Sequence, residues 1–314
     1  MILKTLELKD FRNYEKEEIV FHRKINILTG RNAQGKTNLI EAINLLSLGK
    51  SFRTRKEQEL VRFNKEEAFV KGIFEKKDRL HSTEVRLHAG SPGKKEYFVN
   101  ELHTLTVSDL LGGVYTIVFS PEDLKIVKGD PETRRRFLDR EIILLKPLYY
   151  HKLKKYRHAL KTRNALLKNE SPSTELLDVY DVQLAEAASE VMKERKEWIA
   201  RLSSAAAETC FRITDGNEKL SIEYKPQLSQ IGDEYGKEEI YEALLKGRER
   251  DLIIRSTETG PHRDDFSVFA DGLDLRIYGS QGQQRTAALS LRLAERELIK
   301  KRPGKTRYSC STML

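Results

Sequence analysis

The sequence predicts a mixed α/β unit interrupted by a long helical insertion, and three observations carry that reading. Residues 1–28 and 58–120 read mostly as short strands. Residues 131–210 are long, charged, poor in glycine and rich in helix formers. Residues 219–224 and 252–269 return to a strand-like pattern before a last amphipathic helix over about 283–300.

Each element has a local reason. Leu3, Thr5, Leu6 and Leu8 alternate with charges, and Ile19–Phe21 follow, which predicts two strands joined near Asn13-Tyr14. Ile25–Leu28 is a short apolar run, predicted as a buried strand. A glycine-containing loop leads into a helix from about Lys36 to Leu48, with Gly49 as its C-cap. Ala68–Phe74, Ser82–Leu87, Glu96–Val99 and Val114–Phe119 are predicted strands, and Pro121 marks a change of character. Helix formers such as Leu176–Arg201 fill the insertion. The expected division is 1–120, a lobe that carries the glycine-containing loop; 121–255, a mainly helical basic lobe; 256–300, a return to the first lobe; and 301–314, a tail without periodicity.

Composition narrows the class. The chain has 314 residues, of which 39% are hydrophobic and 33% charged, enough for a sizeable core under a polar surface. No apolar run approaches the ~20 residues of a membrane span, and the first residues lack a signal peptide's apolar core. Two cysteines, Cys210 and Cys310, exclude a disulfide scaffold and fit a reducing cytoplasm. The net charge is 57 − 48 = +9. It is concentrated: Arg134, Arg135, Arg136, Arg140, Lys146, Lys152, Lys154, Lys155, Arg157, Lys161, Arg163 and Lys168 face only Asp139 and Glu141 in that stretch, which therefore carries 12 − 2 = +10. Such a run is either a solvated helix face or a grip on a polyanion.

Gly30-Arg31-Asn32-Ala33-Gln34-Gly35-Lys36-Thr37 fits G-x-x-x-x-G-K-[ST] at every specified position. The glycines let successive N–H groups point inward at phosphate oxygens, Lys36 brings charge to the β/γ-phosphates, and Thr37 offers a hydroxyl to Mg²⁺. The following helix adds its positive N-terminus. Kinases, GTPases and ABC-type ATPases all use this loop. A second motif, Ser280-Gln281-Gly282-Gln283-Gln284, forms a capping box between Ser280 and Gln283 at the start of a helix whose stripe is Ala287, Leu291, Ala294 and Leu298. It is similar to the ABC-type S-G-G-Q/E motif, with Gln281 where many members have glycine. That likeness implies that Ser280, Gly282 and Gln283 contact ATP held by an opposite subunit.

Three further segments are Leu6–Tyr14, Phe119–Leu124 continuing through Gly129-Asp130-Pro131 to Arg134–Asp139, and Thr259–Asp265. With the two motifs above, they resemble the bacterial RecF family of DNA replication and repair proteins over residues 1 to about 300. The resemblance implies an ABC-type, SMC-like ATPase head with a helical, arm-like second lobe, ATP and Mg²⁺ as cofactors, and ATP-dependent homodimerisation on DNA. It also implies slow DNA-stimulated hydrolysis and action with RecO and RecR to load RecA at gaps, in the nucleoid-associated cytoplasm. The basic stretch then reads as a DNA-gripping arm for duplex and gap junctions through Arg134, Arg135, Arg136, Lys152, Lys154, Lys155, Arg157, Lys161 and Arg163. Few aromatics interleave it, which favours backbone contacts over stacking. Arg134–Arg136 carry a competing reading as buttresses. His262 and Asp264-Asp265 carry over as motif residues without a derived role.

One expected element is missing. An ABC-type ATPase needs an apolar strand ending in an acidic pair, and no such strand follows the last helix. Codons compatible with Lys305–Leu314, read from the third base of the lysine codon, translate as D-P-V-F-L-L-D-D-V. The sequence thus predicts that residues from about 302 on are an out-of-frame translation and that hydrolysis is impaired. The alternative is a divergent chain that binds ATP without efficient turnover. Two other functions remain open at this stage: a metabolic P-loop kinase, and a basic structural or RNA-associated protein.

Overall fold

The computed structural model describes residues 1–54, 56–76, 79–90, 95–111, 113–228 and 235–300. Residues 301–314, including the expected out-of-frame tail, lie outside the described residues. The chain divides after Ser120: Met1–Ser120 with Ile299 and Lys300 form one unit, and Pro121–Leu298 form the other.

In the first unit, β1 (Ile2–Phe11) turns back at Asn13-Tyr14 into β2 (Tyr14–Val20), with Phe11 opposite Tyr14. After the phosphate loop comes α1 (Lys36–Leu48), closed by Gly49, whose N–H donates to the Leu45 carbonyl at 2.7 Å. Then follow β3 (Glu67–Lys76), β4 (Arg79–His88), β5 (Lys95–Val99), β6 (Leu102–Thr104) and the short α2 (Val107–Leu110). The sheet order is β2-β1-β3-β4-β5-β6, with every pairing antiparallel. Leu6 and Leu8 of β1, Val70 of β3 and Val85 of β4 supply its buried face, and α1 buries Leu39, Ala42, Ile43 and Leu46.

Two predicted strands do not form ladders among the described residues. Residues 25–28 have no strand assignment, and Ile25 and Ile27 are 75% and 81% exposed. A strand needs a neighbour for its N–H and C=O groups, and a local alternative wins here. The Asn26 side chain accepts from the His22 N–H at 2.7 Å and donates to the His22 carbonyl at 2.9 Å. Residues 114–119 are also unpaired as a strand, although Val114, Tyr115 and Ile117 are buried.

The second unit holds α3 (Leu124–Lys128), α4 (Pro131–Leu145), α5 (Leu148–Leu166), α6 (Thr174–Ile213), β7 (Leu220–Lys225), α7 (Lys237–Ile254), β8 (Asp265–Ala270), β9 (Leu273–Asp274) and α8 (Gln281–Lys300). Asp130 caps α4, its carboxylate accepting from the Thr133 N–H at 2.8 Å. The 40 residues of α6 span about 60 Å at 1.5 Å per residue. A small antiparallel sheet, β7-β8-β9, packs against α6 and α4. The strand-like pattern at 252–269 resolves differently from expectation. α7 runs to Ile254, Arg255 ends it at φ 57°, and only Asp265–Ala270 is strand. Residues 256–298 stay with the helical unit, because Asp265 pairs with Arg134 of α4 and Arg292 pairs with Asp123.

Candidate nucleotide-binding site

Gly30–Thr37 forms a loop that only this sequence type permits. Gly30, Ala33 and Gly35 all have positive φ, at 144°, 65° and 95°. A side chain at Gly35 would also collide with the Asn13 amide, 2.6 Å from the position of its Cβ. The Lys36 ammonium folds back over the loop and donates to the Gly30 and Arg31 carbonyls, each at 2.6 Å. Arg31, Asn32, Gln34 and Thr37 are exposed along the rim. Gly35 is the N-cap of α1, no side chain caps that end, and its first turn contains no acid. The leading N–H groups are therefore donors without a side-chain partner, at the positive end of a helix. That is the chemistry of a phosphate cradle.

The loop rests on a polar network that sequence reasoning missed. Glu41, fully buried on α1, accepts from Arg12 Nε at 2.9 Å and Nη2 at 2.8 Å, and from Arg53 Nη1 at 3.4 Å. Ser51 also donates to it. Arg53 reaches Asn38 at 2.7 Å, Asn38 donates to Asn13 at 2.8 Å, and Asn13 donates to the Gln34 carbonyl at 3.4 Å. Tyr14 donates to the Gly35 carbonyl at 3.2 Å. A chain of hydrogen bonds thus runs from a buried carboxylate to the loop backbone. Arg12, Asn13, Asn38, Arg53 and the half-exposed Arg62 also line an open cleft of about 650 Å³. The available signal was Glu41 itself, a lone carboxylate between Ile40 and Ala42 on the apolar face.

The second candidate motif folds as its spacing dictates. Gln283 N–H donates to Ser280 Oγ at 3.2 Å, and Ser280 N–H donates to Gln283 Oε1 at 3.1 Å, a reciprocal cap on α8. A Cβ at Gly279 would lie 2.5 Å from the Leu275 carbonyl, so that glycine serves the turn. Gly282 meets nothing closer than 3.8 Å, and it is exposed together with Ser280 and Gln281. The predicted stripe is buried as Ala287, Leu291, Ala294 and Leu298.

The basic stretch divides sharply. Arg134 is buried and pairs with both oxygens of Asp265, at 2.6 and 2.7 Å. Arg163 is wholly buried between Asp181 and Asp251, at 2.5 and 2.6 Å. The expectation that these two grip DNA does not hold, because neither guanidinium is accessible. Arg135 donates to the Asp264 carbonyl at 2.7 Å, and Arg136 pairs with Glu132. Lys152, Lys155 and Arg157 are answered by Glu194, Glu186 and Asp139. Lys154 and Lys161 are exposed, with no ion pair among the described residues. The +10 count therefore overstates the free charge, since carboxylates of α4, α6, α7 and β8 answer most of these cations.

The Thr259–Asp265 motif acquires a structural role. Asp264 accepts from the Gln227 N–H at 2.9 Å, from Tyr224, and from Arg195 at 3.5 Å. Tyr156 donates to His262 Nδ1 at 2.5 Å, while His262 Nε2 faces the Thr257 carbonyl at 2.9 Å. A carbonyl only accepts, so the ring proton sits on Nε2. Among the described residues no group of three or more His, Cys, Asp or Glu side chains forms a metal cage. Thr37 at the loop is the available oxygen donor.

Comparison with known proteins agrees with this geometry. The RecF/RecN/SMC N-terminal domain family matches residues 2–306. The chain is 41% identical over 304 residues to the DNA replication and repair protein RecF of Clostridioides difficile strain 630, covering 96% of this chain and 81% of that one. It is 43% identical over 307 residues to RecF of Shouchella clausii strain KSM-K16, covering 95% and 82%. A solved structure of the recombination mediator protein RecF with ATP, of the RecFOR pathway, superposes with a TM-score of 0.92 at 36% identity, covering 98% of this chain and 83% of that one. The Smc head domain from Pyrococcus furiosus superposes at 0.51 with 17% identity, covering 95% and 79%, a likeness of fold.

Proposed function

The chain belongs to the RecF family of DNA replication and repair proteins, and from that membership we propose that it is an ATP-dependent recombination mediator acting on DNA. The observation that carries the reading is the loop Gly30–Thr37. Its backbone is held open by positive φ at Gly30, Ala33 and Gly35, with Lys36 folded over it and the end of α1 uncapped by any side chain. These residues fit a nucleoside triphosphate. The N–H groups of α1 and the Lys36 ammonium would bind its phosphates, and the Thr37 hydroxyl would be the residue to hold a Mg²⁺, which would supply positive charge to the phosphates. The cleft beside Arg12 and Arg53 accommodates the nucleoside. The network from Glu41 through Arg53, Asn38 and Asn13 keeps the loop preorganised, so little ordering entropy is lost on binding.

Bound ATP supplies a polyanion that a second copy can recognise through Ser280, Gly282 and Gln283, giving an ATP-dependent homodimer that closes on duplex DNA or gap junctions. Its partners are RecO and RecR, its outcome is RecA loading, and its location is the cytoplasm at the nucleoid.

Lys36→Ala tests the reading. A fluorescent ATP analogue and a labelled DNA duplex are titrated against both proteins. Loss of ATP binding together with loss of ATP-dependent duplex binding is expected, and unchanged behaviour of both would remove the proposal. Ser280→Arg is expected to leave single-chain ATP binding intact and to abolish ATP-dependent self-association in analytical ultracentrifugation. Full association of that variant would eliminate the two-headed arrangement.

A further inference from the structure

Leu60 and Val61 pack into the core, and Phe63, two residues on, stands out of it at 88% exposure. A turn puts it there. Lys65 N–H donates to the Arg62 carbonyl at 3.0 Å, with Phe63 and Asn64 at the corner and Asn64 in the left-handed region at φ 62°. The turn is anchored to β1 and β2. Arg62 N–H donates to the Asp10 carbonyl at 2.7 Å, the Arg62 guanidinium donates to Glu15 at 2.7 Å, and the Lys65 ammonium lies 3.7 Å from the Asp10 carboxylate. Both flanking cations are thereby drawn to the strands, and the Phe63 ring has no aromatic or cationic contact among the described residues.

The ring lines the same cleft of about 650 Å³ as Arg12, Asn13, Asn38 and Arg53, and Asn13 joins that wall to the phosphate loop through the Gln34 carbonyl. The volume falls within the about 300–1,000 Å³ of small-molecule sites. Phe63 is the only aromatic ring on the cleft wall among the described residues. We infer that Phe63 is the stacking platform for the nucleobase of the nucleotide whose phosphates occupy Gly30–Thr37. The inference rests on the function proposed above and adds the residue that holds the base. A nucleobase needs a flat apolar face and tolerates polar groups at its edges, and one ring beside cations and amides supplies both. A protein partner would instead need a cluster of apolar anchors, which a cleft bordered by Arg12, Arg53, Arg62 and Lys65 does not offer. The backbone of the turn is fixed before any ligand arrives, so stacking costs only the rotation of the ring itself.

The test titrates the full chain with two probes, ATP and inorganic tripolyphosphate, each with Mg²⁺, by calorimetry. Tripolyphosphate reports on the phosphate loop alone. Phe63→Ala is expected to weaken ATP binding about tenfold, within the range for losing one base–aromatic stack, and to leave tripolyphosphate binding unchanged. The ring lies outside the core, so this variant keeps its fold. Phe63→Trp is expected to bind ATP as the wild type does, and its indole fluorescence to be quenched by ATP and not by tripolyphosphate. The one native tryptophan, Trp198, is buried at 2% exposure and gives a constant background. Equal losses for both probes in Phe63→Ala would make the ring a support of the loop, and an unchanged ATP affinity would leave the base unheld. Either result overturns the inference while the phosphate-loop reading stands. A wild type that binds neither probe would overturn both.

Discussion

Arg134 and Asp265 meet in a two-pronged ion pair, 2.6 and 2.7 Å, across 131 positions of sequence. It ties the second helix of the helical unit to the first residue of β8. Arg134 is buried, and the Asp265 side chain is 21% exposed, so removing one partner strands the other with little water. Arg134→Ala is expected to lower unfolding free energy by about 3 kcal/mol, the range for breaking a buried pair. Urea unfolding followed by circular dichroism reads it, and a loss below about 1 kcal/mol would place the pair among solvent-screened contacts.

Gly35 is constrained twice, by φ of 95° and by the Asn13 amide. Gly35→Ala forces either the loop or the β1–β2 turn to move. An ATP-analogue titration is expected to show affinity down by at least about tenfold, from strain of about 1–2 kcal/mol at the left-handed position plus the displaced amide. A variant that binds like the wild type would show that the loop tolerates another backbone path.

Burial pushes the His262 imidazole below its ordinary range, with a smaller opposing contribution from its bond to Thr257. The unfolded chain then binds the proton more readily than the folded one, so stability is full above about pH 6.5 and falls as the medium is acidified toward the folded value. His262→Gln retains an acceptor for Tyr156 and a donor for Thr257 but cannot titrate. Unfolding midpoints at about pH 5.5 and 7.5 are expected to differ less in this variant than in the wild type.

Glu295 of α8 lies in a buried cluster with Arg292, Glu141 and Asp123, its oxygens 3.0 and 3.2 Å from Arg292 Nη1. Burial pushes the Glu295 carboxyl well above the usual carboxylate range and outweighs the guanidinium, while Glu141, beside Arg140 and Arg292, is held low. A raised folded value means that stability falls as pH rises from about 4.3 through that value. Glu295→Gln, an amide copy of the neutral acid, is expected to stay within about 1 kcal/mol of the wild type at neutral pH and to lose that pH slope. Stability measured across pH is the readout, and an unchanged slope would assign it to another group.

The phosphate loop and the Ser280 cap were legible because both are local: a glycine frees φ where it stands, and a cap reaches three residues. The ladder β1–β2 was legible for the same reason, with its turn at Asn13-Tyr14. Ile25–Leu28 misled because apolar alternation signals a strand only where a neighbour accepts its backbone, and Asn26 offered His22 a nearer partner. Arg134 and Arg163 misled because their carboxylates lie far off in sequence, Asp251 being 88 positions from Arg163. A charge count along the chain cannot separate a cation facing water from one facing a distant acid. Asp264 and Asp265 were recognisable as a motif but not as fasteners, since Tyr224, Arg195 and Arg134 come from three other elements.

The uncapped start of α1 has a thermodynamic consequence. With no side-chain acceptor at Gly35, the first turn lacks the ~1 kcal/mol that a Ser, Thr or Asp cap contributes. Any anion seated there completes that turn, so occupancy appears as folding stability, about 2.7 kcal/mol at a ligand concentration a hundred times Kd. Amide hydrogen exchange should register the gain first at Lys36–Asn38, whose N–H groups precede the first helical bond, from Leu39 to the Gly35 carbonyl, and so serve both as recognition and as the end of a helix.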